Sequence, residues 1–369
     1  MINFKNDYNS PGHPAVIQAV MDAVQTKYPG YATDEICGLA RQKILALLKP
    51  RAGARSDVCI ISEARVGACT SSCAGAGADA DVHFLAGGTQ ANLTAISAFL
   101  RPHEAVIAAG SAHIQVHETG AIEAVGHRIL LTAAGDKVTA GEVRRLFRMH
   151  TDEHMVKPRL VFISQSTELG GVYSLAELRA LREACGENGL LLYMDGARLA
   201  IALTAPGGDA GLPDLAELCD AFYIGGTKNG LMFGEALVIV NGALKADFRY
   251  YQKQRGGLLA KGFLLGLQFN AIFENGLYFE IAAHANKMAA RLRTGLEELG
   301  CRFVVRSLTN QIFPVFRTSD VEKLAENFLF EIWEQMGGGY TAVRFVTSWN
   351  TTEDEIEALL AACAKSMEG

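Results

Sequence analysis

Lys228 is the residue whose surroundings most suggest chemistry. It sits in Asp220-Ala221-Phe222-Tyr223-Ile224-Gly225-Gly226-Thr227-Lys228-Asn229-Gly230, an apolar, aromatic run that gives way to glycines and a hydroxyl. The pattern predicts a buried strand delivering a lysine into a tight loop. A desolvated amine loses its proton readily and can form a Schiff base with a carbonyl. A solvated loop lysine shares the same local sequence. The hydroxyl of Thr227 beside it could orient the lysine or a phosphate.

Four further stretches carry candidate groups. Gly87-Gly88-Thr89-Gln90-Ala91-Asn92 falls between a predicted strand and a predicted helix. Glycines let a ligand approach the backbone, the helix start offers free N–H groups, and Thr89 adds a hydroxyl, so the stretch can cradle a phosphate. It fits neither the P-loop nor the dinucleotide fingerprint, and an ordinary strand-to-helix turn reads the same way. Leu190-Leu191-Leu192-Tyr193-Met194-Asp195-Gly196-Ala197-Arg198 places a carboxylate at the end of an apolar strand. A buried aspartate needs a cationic partner; a protonated ring nitrogen or Arg198 would serve. His113, just after a predicted strand, could stack on a flat ring or move a proton, or merely cap a helix. Arg344, inside the apolar run Ala342-Val343-Arg344-Phe345-Val346-Thr347, could take a substrate carboxylate or face solvent.

The elements that would position these groups follow an α/β rhythm. Strands are predicted at 82–85, 105–109, 127–131, 159–164, 190–195, 221–225 and 236–240. Between them lie helices at 90–99, 113–124, 141–149, 174–188 (Ser174 as N-cap) and 215–219. This alternation means a mostly parallel sheet covered on both faces. Helices at 15–25 and 35–48 precede it. From about residue 244 the rhythm changes to a long helical stretch at 258–299, a helix at 319–336, a strand at 341–347 and a last helix at 352–365, an α+β arrangement. The expected division is 1–243 and 244–369. Residues 50–80, rich in Ala, Gly, Ser and Cys, do not fit the rhythm and read as an inserted surface loop.

The 369 residues carry a formal charge of -6, with 20% charged and 49% hydrophobic residues. There is no basic excess for nucleic acid, no apolar run of membrane-spanning length and no apolar leader after Met1. The eight cysteines are scattered, and the closest pair, Cys69 and Cys73, lacks C-x-x-C spacing. A cytoplasmic protein with reduced thiols and no bound metal is expected.

Taken together, an anion cradle, a ring-stacking candidate, a strand-end Asp and a strand-end Lys are the parts that hold pyridoxal phosphate. Over nearly the whole chain outside 50–80 the sequence resembles the fold-type I pyridoxal-phosphate enzymes, and within them the threonine aldolase/β-eliminating lyase family. The residues carrying the resemblance are Asn6-Asp7-Tyr8, Tyr31, Gly87-Gly88-Thr89-Gln90-Ala91-Asn92, Ala112-His113, Asp195-Gly196-Ala197-Arg198, Thr227-Lys228 and Arg344-Phe345-Val346-Thr347. The resemblance implies a large domain around a mostly parallel seven-stranded sheet and a smaller α+β C-terminal domain. By position, Lys228 would bind the cofactor aldehyde, and Asp195 would keep the ring nitrogen protonated. Gly88 and Thr89 would hold the phosphate, with Thr227 alongside. His113 would stack on the ring near the substrate hydroxyl. Arg198 and Arg344, helped by Asn6 and Asp7, would bracket the cofactor oxygen and the substrate carboxylate. A homodimer or homotetramer with shared sites is implied, Tyr31 crossing to the neighbour.

The activity implied is retro-aldol cleavage of a β-hydroxy-α-amino acid of the threonine, allo-threonine or phenylserine type to glycine and an aldehyde. β-Elimination and aminotransferase-like chemistry use the same lysine, and a cofactor-binding homologue with little turnover is a further alternative. Departures from the family pattern matter. Where a second histidine is usual, Gln165-Ser166-Thr167-Glu168 offers Glu168. The usual arginine after paired glycines is absent, and Gly256-Gly257-Leu258-Leu259-Ala260-Lys261 offers Lys261 for the phosphate instead. The opening is Asn6-Asp7-Tyr8 in place of Ser-Asp-Thr.

Overall fold

The computed structural model describes residues 1–49, 79–133 and 135–367. Nearly all of the stretch 50–80, read above as an insertion, lies outside the described residues. The strands, in chain order, are β1 (Ile2–Asn3), β2 (Asp81–Leu85), β3 (Glu104–Ala108), β4 (Ile129–Leu131), β5 (Lys157–Ser164), β6 (Leu191–Asp195), β7 (Ala221–Gly225), β8 (Glu235–Ile239), β9 (Arg302–Phe303), β10 (Gln311–Ile312), β11 (Pro314–Arg317), β12 (Phe328–Leu329), β13 (Glu331–Gly337) and β14 (Tyr340–Val346).

A seven-stranded sheet in the order β2-β8-β7-β6-β5-β3-β4 forms the centre. Neighbours from β7 to β4 run parallel, and β8 runs against both β7 and β2. β3, β6 and β7 are buried along their whole lengths, which is why they read as unbroken apolar runs: helices cover both faces. On one face pack the helices Glu35–Leu47, Leu175–Asn188 and Phe263–Ile272. On the other pack Gly88–Phe99 and Phe248–Gln254. The Ser174 N-cap forms as its sequence predicts, and Glu177 closes a capping box with it.

A second sheet, β10-β14-β11-β9 with β13 also on β14, lies C-terminal. It packs with the helix Leu277–Glu298 and the last helix, Glu353–Met367, around Leu292, Leu296, Phe316, Val343, Phe345 and Leu359. The N-terminal arm is tied to this layer. β1 pairs with β12, Phe4 is 1% exposed, and Val346 N donates to Phe4 O at 2.8 Å. That strap fixes where Asn6, Asp7 and Tyr8 lie.

Three helical expectations are corrected. The stretch 319–336 is helical only over Thr318–Ala325, and its second half is β12 and β13. Pairing of β13 with β14 overrides local helical spacing, and Gly337, Gly338 and Gly339 make the turn between them at φ of 74°, 60° and 78°. The stretch 258–299 is two helices, separated at Asn275 and Gly276, both in the left-handed region. Residues 113–124 are two short turns, His113–Val116 and Ala121–Ala124, parted by Thr119 and Gly120 with φ of 52° and 70°.

Candidate active site

The C-terminal ends of β2, β3, β5, β6 and β7 open toward one space, where ligands of open parallel sheets bind. Asp195 ends β6 and is 4% exposed. Its Oδ1 accepts from Tyr223 Oη at 2.5 Å and Ala197 N at 3.0 Å, and its Oδ2 accepts from Asn92 Nδ2 at 2.9 Å. Arg198 is not its partner. That guanidinium grips Asp7 on the arm, Nε to Oδ2 at 2.7 Å and Nη2 to Oδ1 at 3.0 Å, while Asn310 Nδ2 adds a bond to Asp7 at 2.9 Å. Burial opposes the charge on Asp7, but Arg198 and then Lys228 outweigh it and hold the carboxyl below its usual range. Among the described residues Asp195 has no ion-pair partner, so a buried carboxylate faces the sheet mouth held by neutral donors.

The Lys228 loop is closely tied down. Gly226 N donates to Gly234 O at 3.1 Å and to Glu235 Oε2 at 2.9 Å. Gly234 N donates to Thr227 Oγ1 at 3.0 Å, so the threonine hydroxyl closes the loop. Asn229 Nδ2 donates to Tyr278 O at 2.8 Å, and Tyr278 Oη donates to Gly225 O at 2.9 Å. The lysine Nζ lies 5.9 Å from the Tyr8 ring centroid. Burial, and then the charge of Arg198, push its pKa below that of an ordinary lysine, while Asp7, Glu168 and Asp195 act against them. Beneath the loop, burial pushes the Glu235 carboxyl up to about 7, although Thr227 and the Gly226 N–H favour its charge.

His113 opens the short turn after β3, its Nδ1 2.8 Å from Glu118 Oε1. Burial alone would lower its pKa; the bond to Glu118 and the charges of Asp195 and Glu168 prevail and raise it. Glu168, half-buried beyond β5, lines a small hollow with Ser111, Asp136 and Tyr173. Its charge also acts on Arg198 and Arg344. Arg344 on β14 lies with Cζ 5.5 Å from the Trp333 ring centroid, its Nη1 donating to Gln311 Oε1 at 3.4 Å and its buried Nε without a protein partner among the described residues. Burial and then Arg198 lower its pKa.

At the start of the helix Gly88–Phe99 no side chain caps the N–H groups. A Cβ on Gly88 would lie 3.0 Å from Tyr223 Oη, the hydroxyl bonded to Asp195, so a side chain there would crowd that hydroxyl. Thr89 is exposed. The buried Asp195 carboxyl, the buried lysine and the open helix start together fit the ring nitrogen, aldehyde and phosphate of pyridoxal phosphate.

The fold thus brings Lys228, Thr227, Asp195, Arg198, His113, Glu168, Arg344 and Gly88 to one side of the sheet. Asn6 is half-buried and its Oδ1 accepts from Tyr8 N at 3.1 Å, shaping the arm beside Asp7. Lys261 is exposed. Tyr31 is 44% exposed on the surface, with Lys253 Nζ 4.6 Å from its ring centroid. Arg255, which sequence reasoning passed over, comes closer to the cradle than its position suggests. Its carbonyl accepts from Gln90 Nε2 at 3.3 Å, and among the described residues its buried Nε has no protein partner. Glu118, Tyr223 and Glu235 were also missed; each looks like an ordinary strand or turn residue until the register is known. Among the described residues no cluster of His, Cys, Asp or Glu is placed to hold a metal ion, and no helix is long and apolar enough to cross a membrane.

Residues 66–319 match the model of the beta-eliminating lyase family. A low specificity L-threonine aldolase of Pseudomonas sp. is 34% identical over 287 residues, covering 77% of this chain and 82% of the relative. A solved structure of Leishmania major threonine aldolase superposes with a TM-score of 0.90 at 41% identity, covering 99% of each chain. Serine palmitoyltransferase of Sphingomonas wittichii, at 13% identity and a TM-score of 0.71 over 100% of this chain and 87% of its own, shares the fold.

Proposed function

The chain belongs to the beta-eliminating lyase family, and on that premise we propose that it is a pyridoxal-phosphate-dependent aldolase cleaving threonine-type β-hydroxy-α-amino acids to glycine and an aldehyde. The observation that carries the reading is the pairing at one sheet mouth of a buried lysine, its pKa pushed below the ordinary lysine value, with a buried aspartate that has no ion-pair partner among the described residues. When bound, the cofactor supplies an aldehyde for Lys228 and a ring that draws electrons from the substrate α-carbon. Every other task falls to the chain. Asp195, held by Tyr223, Asn92 and Ala197, keeps a proton on the ring nitrogen. The helix start at Gly88 and Thr89, with Arg255 behind it, takes the phosphate. Arg344 binds the substrate carboxylate through its free Nε. Arg198 spends two donors on Asp7 and directs the rest of its guanidinium to the ligands. His113 presents Nε2 to the β-hydroxyl, and the charge of Glu168 acts on that imidazole. Lys261 remains open as a second phosphate ligand.

The same reading includes a homodimer or homotetramer with shared sites, supported by Tyr31 standing exposed beneath Lys253. It includes a cytoplasmic location as well, supported by free thiols at Cys37, Cys185, Cys219, Cys301 and Cys363. One product assay tests the activity. Incubation with L-threonine should yield acetaldehyde and glycine. Ammonia and 2-oxobutyrate would instead identify a β-eliminating lyase, and a protein that takes up no cofactor would end the proposal.

A further inference from the structure

Asn92 and Glu118 lie behind the site, and their hydrogen bonds link Asp195 to His113. The Asn92 amide nitrogen uses both hydrogens, donating to Glu118 Oε1 at 2.8 Å and Asp195 Oδ2 at 2.9 Å, while its oxygen accepts from Tyr193 Oη at 3.1 Å. An amide nitrogen between two carboxylates, with its oxygen at a hydroxyl, has one orientation that satisfies all three partners. Glu118 is 5% exposed, and among the described residues its buried Oε2 has no partner. The titratable group in contact with it is His113, at 2.8 Å through Nδ1.

We propose that Glu118 and Asn92 are positioning residues that hold His113 with its proton on Nδ1 and its Nε2 toward the substrate. They join the imidazole and Asp195 in one hydrogen-bonded unit. A buried carboxylate that already accepts from Asn92 can take a further donor but offers no proton to the imidazole, so neutral His113 must place its hydrogen on Nδ1. Nε2 is then the basic atom. When it accepts the β-hydroxyl proton, the O–H pair becomes part of the aldehyde carbonyl. The pair of the breaking Cα–Cβ bond stays on Cα, and the imidazolium formed is stabilised by Glu118. The other charges facing His113 are Asp195 on β6, Glu168 beyond β5, His117 on its own turn with ring centroids 5.3 Å apart, and Lys228 beyond β7. The upward displacement of the His113 pKa agrees with this arrangement.

The role given to the proton rests on the aldolase reading, whereas the tautomer does not, so the decisive measurement is made on cofactor-free protein. Imidazole nitrogen NMR on ¹⁵N-histidine-labelled protein, with His113 assigned by its loss in His113→Asn, should show the Nδ1–H tautomer. Glu118→Gln keeps an acceptor but removes the charge. The tautomer should persist in it while the His113 titration and the acid limb of kcat/KM both move to lower pH. Glu118→Ala should mix the tautomers and lower kcat/KM by about 10- to 100-fold. An Nε2–H tautomer in the unaltered protein, or a titration that Glu118→Gln leaves in place, would overturn the proposal. If that variant does not fold, the tautomer of the unaltered protein decides alone. Should the product assay return ammonia, the tautomer result still stands on its own.

Discussion

Asp195, on the central sheet, and Arg344, on the C-terminal sheet, face the same space but are held differently. Asp195 and Asn92 have their partners: tyrosine hydroxyls from β6 and β7, a backbone N–H and a neighbouring carboxylate. At the other side, among the described residues, the donors Arg344 Nε and Gln311 Nε2 are buried without protein partners. Buried polar groups are normally satisfied, so the contrast separates a side built to present a fixed charge from a side with donors to spare. Fixed dipoles act on the reaction without reorganising. Spare donors act on whichever carboxylate arrives. The first should govern kcat and the second KM.

Variants can break or sharpen that contrast. Lys228→Ala should leave no turnover above background, and borohydride, which should fix the cofactor to the unaltered protein, should fix none to this variant; retained activity would remove the lysine from the reaction. Asp195→Asn keeps the shape but not the charge, and kcat should fall on the order of 10²- to 10³-fold with KM little changed. A change confined to KM would reverse the assignment of the two sides. Arg344→Leu should raise KM for the amino acid by about 10- to 100-fold, the size of a lost charge-assisted hydrogen bond, with a smaller drop in kcat. The smallest effect concerns stability. Glu235 is 3% exposed and its pKa is raised by burial to about 7 from a model-peptide value of 4.5. Its contribution is therefore complete below about pH 4.5 and is lost as pH rises through 7, on the order of 3 kcal/mol in all. Melting of cofactor-free protein should fall by a few degrees between pH 5 and 8, and Glu235→Gln should flatten that slope. An unchanged slope would show that another group titrates there.

The contrast also separates what local sequence can disclose from what it cannot. Lys228, Asp195 and the Gly88-Thr89 cradle are legible because each follows a buried strand and sits where turn chemistry takes over, a pattern contained in about ten residues. The central sheet is legible for the same reason: strands covered on both faces show continuous apolar runs. The 319–336 stretch was misread because β13 owes its form to β14 across a glycine turn, while its own residues suit a helix.

Partnership is what the sequence could not settle. It left Asp195 open to Arg198 or a ring nitrogen; the fold gives Arg198 to Asp7, which the N-terminal strap brings from 191 residues away. It named His113 and Glu168 but not Glu118, because the contact spans five residues, reaching past the end of the short turn His113–Val116, and follows no helical spacing. Glu235 reads as an ordinary strand residue until its register beside Gly225 and Leu85 puts it under the lysine loop. The sequence by itself determined which chemical groups stand at which strand ends, since strands and turns form by local rules. The tertiary structure alone decided which charge each group faces, because that depends on distances between segments far apart along the chain.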